Sequence, residues 1–293
     1  MPSPPRRVPE LFRVFRPVGA PSYSDRMTPE ELGEAGLRYD VSGVVATVTL
    51  DRPEVRNAQT PRMWRTLAAI GDQIPDEVRA VVLRGAGQSF SAGLDRAMLA
   101  PTDPTQGAGD GEESVVALLS QPDDQIAETI DAFQRGFTWL RDPRFVSVAV
   151  VQGHAIGAGF QLALSCDLRV VGDDASFCMK ESALGLVPDL TGTKPLVDSV
   201  GYARALEICA TARRVSAAEA LQIGLATVVC PVAELDAAAA DLVAALTAPP
   251  AGAVRETKAL LLGASDRTLD EQRRHEREAQ TRRFRELSRM MSG

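Results

Sequence analysis

From Leu37 onward, apolar and polar positions trade places with a period of two. In LRYDVSGVVATVTLDRP the β-branched residues on both sides of Ser42-Gly43 predict two strands joined there as a hairpin. The period then changes. In RNAQTPRMWRTLAAIGDQI, Met63, Trp64, Leu67 and Ile70 recur at helical spacing, behind Thr60 and Pro61 as a helix start. VRAVVLRGA reads as a short apolar strand ending at Gly85. Strand, helix and strand with compact joints predict an α/β architecture with crossover connections.

Residues 101–124 break this rhythm with the loop PTDPTQGAGDG and at most a short helix in SVVALLSQPDDQ. An insertion of this kind is expected to be a mobile loop beside a binding site, or simply disorder. An amphipathic helix over about 124–140 follows, then the strand FVSVAVVQG. Further on, DLRVVG, ASFCMK and ATVVCP read as strands, with helices near 192–210 and 216–223. The helices VAELDAAAADLVAALTA and AGAVRETKALLLGA precede a charged closing helix, LDEQRRHEREAQTRRFRELSRMM. Residues 1–36, rich in Pro and Arg, are expected to form a poorly ordered arm with one short helix around TPEELGEAG. The expected organisation is therefore this arm, a core over 37–232 and a C-terminal helical region over 233–293.

Composition narrows the function classes. A formal charge of −7 argues against a chain built to coat nucleic acid or an anionic membrane. No apolar run reaches the length of a membrane span, and no apolar signal core follows the N-terminal arginines. The four cysteines, Cys166, Cys178, Cys209 and Cys230, contain no C-x-x-C pair, and His154 and His275 have no partners at metal-ligand spacing. Reduced thiols in a cytoplasmic protein without a structural metal are expected.

Small residues mark two strand-to-helix joints, RGAGQSFSAGLD and QGHAIGAGFQ. A dinucleotide fingerprint starting at Gly157 would need glycine at Leu162, and one starting at Gly85 would need it at Phe90. A serine-hydrolase elbow from Gly87 would need glycine at Ser91. Neither motif is present, nor is a phosphate loop. Two such joints can instead aim backbone N–H groups at one oxygen that gains negative charge, or simply pack a helix tightly on a sheet.

Taken together, FSAGLD, GHAIGAGFQLALSCDLRVVGDDASF, KESALGLVPDLTGTKPLVDSVGYARALEI and VSAAEALQIGLATVVCP resemble, in order, the enoyl-CoA hydratase/isomerase (crotonase) superfamily. The likeness runs from about Leu37 to the C-terminus, leaving out the arm and the 101–124 insertion. It implies a spiral of ββα turns in two sheets, with a C-terminal helical region that assembles trimers or dimers of trimers. It also implies an acyl-CoA substrate whose enolate is stabilised in an oxyanion hole, with no cofactor beyond the CoA of the substrate itself.

By position the resemblance assigns the oxyanion donors to the N–H groups of Ala92 and Ala158, with Gly159 beside them. Hydratases of the family have glutamate where Gln161 stands, paired with a second that matches Glu181. Gln161 can hold a water but cannot move a proton near neutral pH, which favours an isomerase over a hydratase. Glu181 keeps the second position and could act alone as proton carrier. Asp189 resembles the aspartate of family dienoyl-CoA isomerases, although those also have aspartate where Gln161 stands. A helix N-cap is the competing reading of Asp189. His154 reads as a packed strand-end residue. Arg56, Arg96 and Lys258 lie in stretches that contact CoA in the family, or are solvated charges.

Overall fold

The computed structural model describes residues 27–99 and 115–292. Its first helix, α1 (Pro29–Glu34), opens on a capping box in which Thr28 and Glu31 each accept the other's backbone N–H. This turn buries Leu32 and Ala35 in the main core. The folded unit therefore begins before the expected boundary at residue 37, while positions 1–26 of the expected arm lie outside the described residues.

Strands β1 (Leu37–Ser42) and β2 (Val45–Leu50) pair antiparallel with Ser42 opposite Val45. Their two-residue turn is Gly43-Val44, one position beyond the expected joint, because Gly43 takes the positive φ (+58°) that such a turn requires. Helix α2 (Pro61–Asp72) starts where the Thr60 hydroxyl accepts the Met63 N–H, and it buries Met63, Trp64, Leu67 and Ile70. It crosses to β3 (Ala80–Gly85), which lies parallel to β2. Of the expected insertion, positions 101–114 lie outside the described residues; the rest holds α3 (Val115–Leu118) and the start of α4 (Asp123–Thr138). Trp64 fixes α2 against α4, its ring 5.0 Å from Phe133 and 6.1 Å from Phe137.

The chain then alternates between two sheets. It runs through β4 (Val146–Val151), β5 (His154–Ile156), α5 (Ala158–Ser165), β6 (Leu168–Gly172) and β7 (Ser176–Cys178). It continues through α6 (Thr193–Val200), α7 (Tyr202–Thr211), β8 (Arg214–Ser216), α8 (Ala217–Gln222) and β9 (Val228–Cys230). A six-stranded sheet has the order β1-β2-β3-β4-β6-β9, parallel after the first pair, and β5-β7-β8 form a smaller sheet. This is the expected ββα spiral. All six residues of β4 are buried, as suits a central parallel strand covered on both faces.

Helices α9 (Leu235–Thr247), α10 (Ala251–Leu262) and α11 (Leu269–Ser292) form the C-terminal region. Leu235, Ala239 and Val243 of α9 cover the face of the large sheet that carries Ala80, Val148, Val150 and Val170. No single helix among the described residues is long and apolar enough to cross a membrane.

Candidate active site

Helix α5 is the pivot of the site. Its sequence, AGFQLALS, is apolar nearly all round, and all eight residues are buried. Gly157 precedes it at φ +50°, ψ −119°, a conformation that L-residues avoid, and donates its N–H to the Cys178 carbonyl at 2.8 Å. At the other end, two arginines take up the free carbonyls. Arg141 donates to Leu164 and Ser165 at 2.8 and 3.0 Å, and Arg169 donates to Cys166 at 3.0 Å. Burial pushes the Arg169 guanidinium down to about 10. Sequence reading missed both, although an arginine inside the apolar run DLRVVG was an available signal. Cations at a helix C-terminus complement its dipole. The opposite end keeps the Ala158 N–H, which has no partner among the described residues.

The first joint is stitched to the second by its backbone. Phe90 donates to Gln152 and Ser91 to His154, both at 2.8 Å, and Ile156 donates to Ser91 at 3.1 Å. Ser91 thus pairs in parallel with Ala155. Beyond this bridge Gly93 lies against the Ile156 carbonyl and the Ala158 nitrogen, and Leu94 pairs with Gln59.

Ala92 is therefore not the donor expected from the sequence. Its N–H is already engaged, donating to the Arg56 carbonyl at 2.8 Å. The Leu94 N–H has no partner among the described residues, and it follows Gly93, where a Cβ would overlap the Ile156 carbonyl and lie 3.6 Å from the Ala158 nitrogen. Leu94 and Ala158 are the donor pair that this geometry supports. Gly159 packs closely on the first joint: a Cβ there would sit 2.6 Å from the Ser91 carbonyl oxygen.

A buried polar network holds this joint. Asn57, in the left-handed region at φ +54°, accepts from the Arg52 N–H and donates to the carbonyls of Ala86 and Ser89. The Ser91 hydroxyl donates to the Asn57 carbonyl and accepts from Gln59, which in turn accepts from the Trp64 indole. Sequence reading missed Asn57 and Gln59 because polar residues on a loop look solvated until the loop is seen buried.

Glu181 and Gln161 meet directly. The Gln161 amide donates to Glu181 Oε1 at 2.7 Å, and its Oε1 accepts the N–H groups of Leu190 (2.9 Å) and Gly192 (3.2 Å). Glu181 is 8% exposed, and its Oε2 is buried with no partner at hydrogen-bonding geometry. Its carboxyl is held above the usual carboxylate range, chiefly by burial and further by the nearby charge of Asp189. The Gln161 contact and the amides of Glu181 and Lys180 offset this in part. The carboxylate also packs against Gly157, with Oε1 3.4 Å from where a Cβ would stand, so it borders the start of α5.

Asp189 does not cap α6: that helix begins at Thr193 behind Gly192, with no side-chain cap. The residue is exposed at its surface, yet enough protein surrounds its carboxyl to raise that group's pKa as well. The backbone carbonyl of Asp189 accepts from Gln134 at 2.7 Å.

Arg56 and Arg96 are exposed beside the first joint. Lys258 is not available to substrate. It is 8% exposed, and its ammonium donates at 2.7 Å to the Asp142 and Phe145 carbonyls and to Asp167 Oδ2. It ties α10 to the start of β4. His154 lies on β5, with its imidazole pushed towards neutrality by burial and by Arg214 and Arg56. Among the described residues, a cavity of about 690 Å³ lies over β1–β3, lined by Arg38, Asp40, Thr47, Thr49 and Arg84. It includes none of Leu94, Ala158, Gln161, Glu181 and Asp189.

Comparison with known proteins bears on this arrangement. The family model for enoyl-CoA hydratase/isomerase matches residues 40–292. The human mitochondrial Delta(3,5)-Delta(2,4)-dienoyl-CoA isomerase is 36% identical over 233 residues, which is 78% of this chain and 68% of that protein. A Rhodobacter capsulatus protein named as a probable enoyl-CoA hydratase is 33% identical over 64% of this chain and 66% of its own length. A Thermobifida fusca YX protein, provisionally assigned as an enoyl-CoA hydratase and solved in complex with CoA, is 51% identical. It superposes with a TM-score of 0.83 over 92% of this chain and 99% of its own. With two facing strand-to-helix joints, a buried glutamate beside them and a match over nearly the whole spiral, this chain belongs to the enoyl-CoA hydratase/isomerase (crotonase) family.

Proposed function

We propose that this enzyme moves a double bond within a 3-enoyl- or 3,5-dienoyl-CoA thioester, with Glu181 as the proton carrier. The observation that carries this reading is the contact between Gln161 and Glu181. An amide, not a second carboxylate, faces Glu181 Oε1, and Oε2 is left bare. Hydration calls for two proton-moving groups around a water, whereas an isomerisation can run on one carboxylate. A raised carboxyl pKa suits a base that must also give its proton back.

In this scheme the thioester oxygen accepts the N–H groups of Leu94 and Ala158. Glu181 Oε2 takes a proton from C2, and the C–H electron pair passes into the conjugated enolate, with its charge resting on the thioester oxygen. The carbonyl then re-forms as a proton is delivered to the far end of the conjugated system. For a 3-enoyl thioester that end is C4, two bonds from C2 and within reach of the same carboxylate. For a 3,5-dienoyl thioester it is C6, four bonds away, where Asp189, starting as the protonated acid, delivers the proton; after product leaves, exchange with solvent returns Glu181 to the carboxylate and Asp189 to the acid. The dienoyl-CoA isomerase name of the human relative supports this second substrate class. Arg56 and Arg96 would meet the CoA phosphates.

Hydration of 2-enoyl-CoA is the second reading, favoured by the hydratase names among the relatives. Offering 3-enoyl-, 2-enoyl- and 3,5-dienoyl-CoA of one chain length separates the readings. Isomerisation of the 3-enoyl or dienoyl ester, with slow hydration of the 2-enoyl ester, is expected. Efficient hydration with no double-bond movement overturns the proposal.

A further inference from the structure

The Gln161 side chain touches both carboxylate-bearing segments at once. Its orientation is not free: Oε1 accepts two backbone N–H groups, from Leu190 and Gly192, so the NH2 end must face Glu181. Gln161 is 1% exposed, and Gly192 packs so closely that a Cβ there would lie 2.6 Å from Gln161 Cγ. Leu190 is the residue after Asp189, and the Asp189 carbonyl is held from the other side by Gln134. The single peptide link after Asp189 is thus held by two glutamines, its carbonyl by Gln134 on α4 and its N–H by Gln161 on α5.

We propose that Gln161 is a positioning residue for both carboxylates. Through its NH2 group it occupies Glu181 Oε1 and leaves Oε2 as the proton-accepting atom; through its Oε1 it holds the turn that carries Asp189. This rests on the reading of Glu181 as the proton carrier and extends it to a residue that itself moves no proton. The hydrogen bond to Glu181 also favours the ionised form, against the burial that opposes it. One buried amide therefore fixes which carboxylate oxygen is already hydrogen-bonded and holds the turn that carries its partner.

Two variants divide these roles. Gln161→Met fills the site but removes both the donor and the acceptor. Gln161→Glu keeps an oxygen for the Leu190 and Gly192 N–H groups but turns a second carboxylate towards Glu181 Oε1, so that the pair shares a proton. The readouts are the pH profile of kcat/KM and the infrared carboxyl band of Glu181, assigned with Glu181→Gln and titrated in the protein without substrate. In both variants the acidic limb and the infrared transition are expected to move to higher pH, further for Gln161→Glu, and kcat for the dienoyl ester is expected to fall more than its KM rises in Gln161→Met.

Folded variants whose limb and infrared transition stay at the wild-type pH overturn the positioning role. If Gln161→Met fails to fold, Gln161→Glu decides the matter alone, since it retains the two backbone contacts. A wild-type protein that isomerises none of the esters, yet shows the infrared shifts, sinks the functional reading and leaves the positioning role standing.

Discussion

Adding a single methyl group at Gly93 tests the oxyanion geometry without touching any side chain that moves a proton. Gly93 has φ +90°, and a Cβ there would overlap the Ile156 carbonyl oxygen while lying 3.6 Å from the Ala158 nitrogen. An L-residue held in such backbone costs about 1–3 kcal/mol. The overlap with a backbone oxygen cannot be relieved by a rotamer change, so the two joints must separate. The Leu94 and Ala158 N–H groups then no longer converge. Losing one such donor typically costs about 2.7–4 kcal/mol of transition-state stabilisation, or roughly 10²–10³ in kcat. Charge on the thioester oxygen is larger in the enolate than in the bound substrate, so KM should change much less. Gly93→Ala is thus expected to lose roughly two to three orders of magnitude in kcat. Steady-state isomerisation, followed by the absorbance of the conjugated product, measures this, and thermal unfolding gives the stability cost. Gly43→Ala is the control for backbone strain alone, because Gly43 also has positive φ but no atom within 4 Å of its Cβ position. A folded Gly93→Ala enzyme with kcat within about threefold of wild type, well short of the 10²–10³ expected for a lost donor, would refute the assignment of Leu94 and Ala158.

Glu181→Gln should lower kcat by about 10²–10⁴ while leaving thioester affinity almost intact, as tested by turnover and calorimetric titration. Its effect on stability has a defined sign. The folded pKa of Glu181 lies above its ordinary value of 4.5, so the folded state loses stability as pH rises through that raised pKa. The amide variant should therefore melt at a higher temperature than wild type above that transition and gain little below pH 4.5; a lower melting temperature at pH 8 would contradict the burial argument. Lys258→Met should cost about 1–3 kcal/mol in denaturant unfolding by leaving the Asp142 and Phe145 carbonyls and the partly buried Asp167 carboxylate without its ammonium, with KM for the CoA ester unchanged. A raised KM at unchanged stability would restore Lys258 as a CoA contact. Asn57→Ala strands the buried carbonyls of Ala86 and Ser89, at about 1–3 kcal/mol for each group, and should lower both melting temperature and kcat.

The periodicity of the sequence is enough to draw most of the spiral, because strands such as β4 and helices such as α2 owe their burial to local apolar patterns. The carboxylates were legible too, since Glu181 and Asp189 stand in motifs with a family likeness. Backbone donors leave no side-chain signature. Ala92 and Leu94 flank the same glycine, and it is the hydrogen bond from the Ala92 N–H to the Arg56 carbonyl that decides between them. Lys258 illustrates a different limit: a lysine on an amphipathic helix reads as solvated or ligand-facing until its three acceptors, all more than 90 residues away in sequence, are brought to it. Gln161 was read from what it lacks, a titratable proton. What it holds depends on a turn 29 residues further along the chain.

The stitching of the two joints bears on how such an enzyme can change its chemistry over generations. The N–H groups of Leu94 and Ala158 are set by main-chain pairing and by the missing side chains of Gly93 and Gly157, so they do not depend on the identity of positions 161, 181 or 189. Those three side chains hang from α5, from the turn after β7 and from the approach to α6. Mutation can therefore redraw the side chains at these positions while the main-chain frame beside them is inherited unaltered. On the proposed reading, a lineage built this way can drift between adding water and moving a double bond without first unmaking its backbone frame.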